Sequence, residues 1–108
     1  MHLLNCLNNI NSYQETEETL KSKSLVVKRD DELGLYLVKY NKETCDMSDP
    51  DILKCRGLIM KQSDNSLVCV PPFKSIPVSE FSNIIPNLSD TNYEEFIDGT
   101  MINIFCID

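Results

Sequence analysis

Three local patterns combine residue types that can meet a phosphate or hold a nucleophile. Lys54-Cys55-Arg56-Gly57 enters an apolar run. Pro71-Pro72-Phe73-Lys74-Ser75-Ile76-Pro77 leaves one. Tyr93-Glu94-Glu95-Phe96-Ile97-Asp98-Gly99-Thr100-Met101-Ile102 lies close to the end of the sequence. Arginine offers a planar fork of donors that matches phosphate, and lysine offers a point charge or, when deprotonated, an amine nucleophile. Taken singly, an arginine at a strand start is a solvated end and a lysine after two prolines is a loop charge. Other chemistries are poorly supplied. The sole histidine is His2, so no Ser-His-Asp or Cys-His arrangement can be built. Three glycines form no phosphate loop. On a strand, Glu94 and Glu95 point to opposite faces. His2 and Cys6 have i, i+4 spacing, but zinc needs more ligands than that. No metal, no cofactor and no catalytic residue is expected.

In this order and spacing the three patterns are far more specific. The chain resembles the N-terminal part of the adenylation domain of phage-type RNA ligases, in the covalent nucleotidyltransferase superfamily. The resemblance runs over essentially all 108 residues and is strongest from residue 50 to 107. It implies a phosphate- or ribose-contacting role for Arg56, a basic site at Lys74, and the Asp-Gly of the nucleophile motif at Asp98 and Gly99. It also places Phe96 where those ligases carry the lysine that forms lysyl-AMP. Phenylalanine has no lone pair to attack the α-phosphate of ATP, and the nearest preceding lysine is Lys74. The strands that bring later carboxylates and lysines in active ligases would follow residue 108. The resemblance therefore implies a non-enzymatic, structural or protein-interaction domain. Relatives lacking the lysine look like proteins of large DNA viruses, which adds a virion component to the roles implied. The alternatives are an ATP- or RNA-binding remnant, or the N-terminal fragment of a larger RNA ligase.

Composition is consistent with one globular unit. Hydrophobic residues make up 42% and charged residues 25%, which is ordinary for a folded domain. Ten basic and seventeen acidic residues give a net charge of −7, which lacks the broad positive field of a nucleic-acid-coating protein. No apolar run reaches the roughly 18 residues of a membrane span, so no membrane contact is expected. The opening Met-His-Leu-Leu-Asn-Cys has no basic segment and does not read as a secretory signal. The five cysteines include no CxxC and, with no such signal, suit a reducing, cytoplasm-like compartment.

The elements that must position these residues read as an α+β fold, a small antiparallel sheet of hairpins with one or two short N-terminal helices. It forms a single partial ligase-like domain, helical over 1–23 and β-rich over 24–108. Leu3, Leu4, Leu7 and Ile10 have helical spacing, predicting a helix over 2–11. The charged stretch 12–24 suits a second helix or a linker equally. A hairpin is predicted with strands at 25–27 and 33–40 around the turn Arg29-Asp30-Asp31-Glu32, and another with strands at 56–61 and 67–70. Asp49 can cap a short helix with Pro50 at its first position. A short helix over 79–85 and strands over 93–97 and 101–107 complete the reading. Ten asparagines are scattered and suggest nothing structural. The run 101–107 is apolar and uncharged, with Ile102, Ile104 and Cys106 on one face and Met101, Asn103, Phe105 and Ile107 on the other. Unpaired, it would be an adhesive edge. Met101, Ile102, Ile104, Phe105 and Ile107 are thus the candidate contacts for a protein partner or a second copy of the chain.

Overall fold

The computed structural model describes residues 2–77, 79–81, 89, 92–95 and 97–107. It contains a four-stranded antiparallel sheet in the order β1-β2-β3-β4. The strands are β1 (Val26–Asp30), β2 (Leu35–Lys39), β3 (Arg56–Lys61) and β4 (Leu67–Cys69), with short helices α1 (His2–Leu7), α2 (Tyr13–Ser22) and α3 (Pro50–Lys54). This is a small mixed α/β protein.

The 12–24 stretch is a helix rather than a linker. Glu15 lies in its first turn, Lys21 in its last, and Glu17 pairs with Lys21 one turn on. This charge order suits the helix dipole. Its end is a Schellman turn. Ser24 takes φ +62°, its N–H donates to Lys21 O at 2.9 Å, and the Leu25 N–H donates to Leu20 O at 3.2 Å. Leu20 and Leu25 are both buried, so the chain reversal also closes an apolar contact. α3 is capped as its sequence requires, the Asp49 carboxylate accepting the Asp51 N–H at 2.8 Å. Asp51 in turn accepts the Leu3 N–H at 2.7 Å, which fastens α1 to α3.

The first hairpin is longer on its leading arm than expected. Lys28, Arg29 and Asp30 are strand, pairing with Leu37, Tyr36 and Leu35, and the turn is 31–34. Asp30 Oδ1 accepts the Glu32 and Leu33 N–H groups, and Gly34 takes φ +63°. Charged residues are tolerated here because β1 is an edge strand. α1 is shorter than expected, ending at Leu7.

One face of the sheet forms the core. Tyr36, Val38, Leu58 and Met60 pack with Leu3, Leu7 and Leu20 from the helices, and Ile52 and Cys55 close one end. A buried polar hub sits inside it. Asn65, at φ +57°, accepts the Tyr36 hydroxyl at 2.8 Å and donates to Leu7 O at 3.1 Å and Thr16 Oγ1 at 3.0 Å. The asparagines therefore are not all structurally silent, because this one joins both helices to the sheet.

Two predicted strands are not formed. Among the described residues no strand follows Cys69, so the β-rich half ends there rather than continuing over 93–97 and 101–107. A strand needs a sheet edge to hydrogen-bond to, and 101–107 lies over the sheet's face instead. In the region predicted as a 79–85 helix, 79–81 are helical and 82–85 lie outside the described residues. Phe96 also lies outside them.

The Cys55 thiol is buried, and burial, then the Asp51 charge, then Cys45 and Asp49, push its pKa up to about 12. A thiol that keeps its proton when folded and loses it near 8.5 when unfolded stabilises the fold below that value. This stability is lost as pH rises towards 12. Burial also raises the Tyr36 hydroxyl, which extends the loss above pH ~10. Unfolding free energy measured by denaturant from pH 8 upward is expected to fall, with a slope approaching ~1.4 kcal/mol per pH unit for the thiol. Cys55→Ala should flatten that slope below pH ~10. An unchanged slope would show that the thiol does not carry it.

Candidate functional site

Arg56 opens β3 at an irregular point. The β2–β3 register shifts between Val38 and Lys39, and Gly57 takes φ +110°, a conformation that strongly favours glycine. Addition of a Cβ at Gly57 would meet nothing within 4 Å, so the constraint is conformational rather than steric. The kink turns Arg56 outward. Its Nη1 donates to Phe73 O at 2.9 Å, and Lys54 sits 5.8 Å from the Phe73 ring centroid. Arg56 is exposed and Lys74, next to Phe73, is half-buried with its ammonium donating to Ser75 O at 3.3 Å. The two cations expected near a phosphate are therefore brought to the same corner of the sheet.

Asp98 and Gly99, the other pair the ligase resemblance implies, lie further along the chain. Both are exposed, and a Cβ on Gly99 would meet nothing within 4 Å. The cavity beside Arg56 has a volume of about 140 Å³ and is lined by Pro71, Pro72, Met101 and Asn103. Among the described residues this lining holds no carboxylate.

Met101 marks the start of a strap over the sheet's second face. Met101 and Asn103 lie by Arg56 at the start of β3. Phe105 shares a depression of about 260 Å³ with Lys28, Leu35, Leu37 and Ile59 at mid-sheet. Ile107 lies by Gly34, Lys61 and Gln62 at the far end. Seven residues thus span the length of the six-residue β3, which requires a nearly extended backbone. Odd-numbered side chains face the sheet and even-numbered ones face away. Phe105 is half-buried and Ile107 is 41% exposed, while Ile102 is 78% and Ile104 93% exposed. The strap's inner side is covered chiefly at Phe105, Met101 remaining 70% exposed, so the burial on both faces expected for this run is not met.

Among the described residues, no group of three or more His, Cys, Asp or Glu is placed to hold a metal, and no helix is long and apolar enough to cross a membrane. No family model, curated protein or solved structure matches the chain. The reading therefore rests on the residues themselves.

Sequence reasoning missed the second face. Lys28, Lys39 and Lys61 are distant in sequence, and only the strand register brings them together. The signal was present in the hairpins, each lysine alternating with core-facing residues, but pairing two hairpins is needed to see it.

Proposed function

We propose that this is a non-catalytic protein-interaction domain of RNA-ligase-like descent, an assembly component that binds through the outer side of 101–107. The observation that carries it is the exposure of Ile102 and Ile104 on an extended segment whose inner side rests on the sheet. An extended backbone without strand partners, bearing branched apolar side chains, suits strand addition by another protein. Phe96 in place of a nucleophilic lysine supports the non-catalytic half. A place in a virion, and a reducing compartment, belong to the same reading.

The catalytic half is tested with labelled ATP and magnesium. No acid-stable transfer of AMP is expected, because the side chain at Phe96 has no lone pair to attack the α-phosphate. Transfer to any lysine would overturn this part. Millimolar ATP should also leave the melting temperature unchanged, since only a ligand of the folded state raises it. A rise of several degrees would favour the nucleotide-binding alternative built on Arg56. The interaction half turns on Ile102 and Ile104. Their joint replacement by aspartate is expected to leave the fold intact and release the protein from its partner.

A further inference from the structure

We propose that the lysine-bearing second face of the sheet receives the acidic 93–98 segment of a second copy of this chain, each copy giving and receiving once. The inference rests on the reading of the domain as an interaction module and adds a second surface to the one at Ile102 and Ile104.

The receiving surface follows from the register. Val26 is paired with Lys39, Lys28 with Leu37 and Leu37 with Ile59, Asp30 with Leu35 and Leu35 with Lys61. Cross-strand partners share a face, so Lys28, Lys39 and Lys61 surround an aliphatic centre of Leu35, Leu37 and Ile59. The strap fills only the middle of it, and Lys28 and Lys39 are exposed. In this acidic chain, Lys21, Arg29 and Lys54 are ion-paired with Glu17, Asp31 and Asp51. Among the described residues, Lys28, Lys39 and Lys61 have no ion pair. The one acid in these rows, Asp30, is committed to its own turn by accepting two N–H groups.

The same chain exposes a segment of opposite character. Glu94, Glu95 and Asp98 are exposed, and the neighbouring Tyr93 and Ile97 are 83% and 86% exposed. Three carboxylates match in number and sign the three lysines that ring the strap's seat, whose floor Phe105 already covers. In its own chain this segment precedes Met101, which is already seated by Arg56, and the face beyond is crossed by 101–107. A second copy offers the same segment free of that connection, and reciprocal exchange closes a two-fold dimer. An aliphatic floor with a single aromatic, Phe105, is a poor stacking platform for nucleotide bases, which favours peptide over single-stranded RNA.

The test is sedimentation velocity of the full chain over a concentration series at low and high ionic strength. A dimer that weakens with salt is expected, as its contacts are between opposite charges at a partly exposed interface. Lys28→Glu, Lys39→Glu and Lys61→Glu together should weaken it by about 100-fold or more, as should Glu94→Lys, Glu95→Lys and Asp98→Lys together. Circular dichroism verifies that each variant is folded. Mixing the two variants should restore a 1:1 dimer. A control with Glu15→Lys, Glu18→Lys and Glu43→Lys carries the same net charge but can make only one of the two contacts with the lysine variant, and should restore far less heterodimer. A monomer at all concentrations in low salt, no rescue on mixing, or equal rescue by the control would overturn the proposal. So would a monomer whose lysines instead bind a labelled oligoribonucleotide lost in the lysine variant. A monomeric chain still held by another protein through Ile102 and Ile104 would overturn the dimer and leave the interaction reading standing. A chain that binds nothing through either surface would remove both.

Discussion

Asn65→Ala is expected to destabilise the protein by about 3–5 kcal/mol. The Tyr36 and Thr16 hydroxyls lose their Asn65 partner, and the Leu7 carbonyl loses one of two donors, keeping the Ile10 N–H at 3.0 Å, around a residue only 4% exposed. Each buried polar group left unpaired costs about 1–3 kcal/mol. Alanine must also hold the left-handed φ of +57°, which costs a further ~1 kcal/mol outside glycine and asparagine. Against a typical total of roughly 5–15 kcal/mol, this is a large share of the fold's stability. The melting temperature should fall by at least about 10 °C. Asn65→Asp is an informative companion. It keeps an acceptor for Tyr36 but turns both donors into a buried carboxylate facing two oxygens, so it should be no better than alanine. A loss below about 1 kcal/mol for Asn65→Ala would mean that the hub does not hold the helices to the sheet.

Phe105→Asp together with Ile107→Asp is expected to free the strap from the sheet and abolish association. Burying each such side chain contributes roughly 1.5–3 kcal/mol when complete, and less here because neither is fully covered. Phe105 nonetheless seats the strap on Leu35, Leu37 and Ile59, and Ile107 seats it beside Gly34 and Leu35. Once it lifts, Ile102 and Ile104 lose the geometry that presents them, and a partner must order seven residues on binding. Ordering costs about 1–2 kcal/mol per residue, so affinity should drop by more than about 100-fold. Ile102→Asp with Ile104→Asp should abolish binding just as fully while leaving Phe105 and Ile107 seated. Protease cleavage within 99–107 separates the two cases, being faster in the first variant and unchanged in the second. Equal cleavage in both would show that the strap is not docked by its inner side chains.

Parts of this arrangement are plain in the residue pattern and parts are not. Asp49 before Pro50 declares the α3 cap, and the branched runs around Gln62-Ser63-Asp64-Asn65-Ser66 declare the second hairpin, because both signals are local. The leading arm of β1 hides behind Lys28, Arg29 and Asp30, whose charges are acceptable only at an edge. Asn65 reads as an ordinary turn residue, and its partners lie 29 to 58 positions away. Residues 101–107 have the composition of a strand, yet composition cannot tell whether an edge is free to receive them. The face alternation within 101–107 was nevertheless legible and survives in the strap. For the candidate site, the corner joining Arg56 and Lys74 follows the expected order of elements, whereas Asp98 and Gly99 depend on chain geometry beyond Pro72 that no local pattern specifies.

The central claim is that the outer side of 101–107 is a covered surface in the working protein. Amide hydrogen exchange at 102–106 tests it most directly, measured on the isolated chain and on the protein in its native assembly. In isolation these amides, which have no strand partner, should exchange close to the rate of open chain. In the assembly they should slow by about 100-fold or more, as ladder hydrogen bonds form with the partner. Equal exchange in the two states would contradict the account, leaving a small α/β domain whose strap binds nothing.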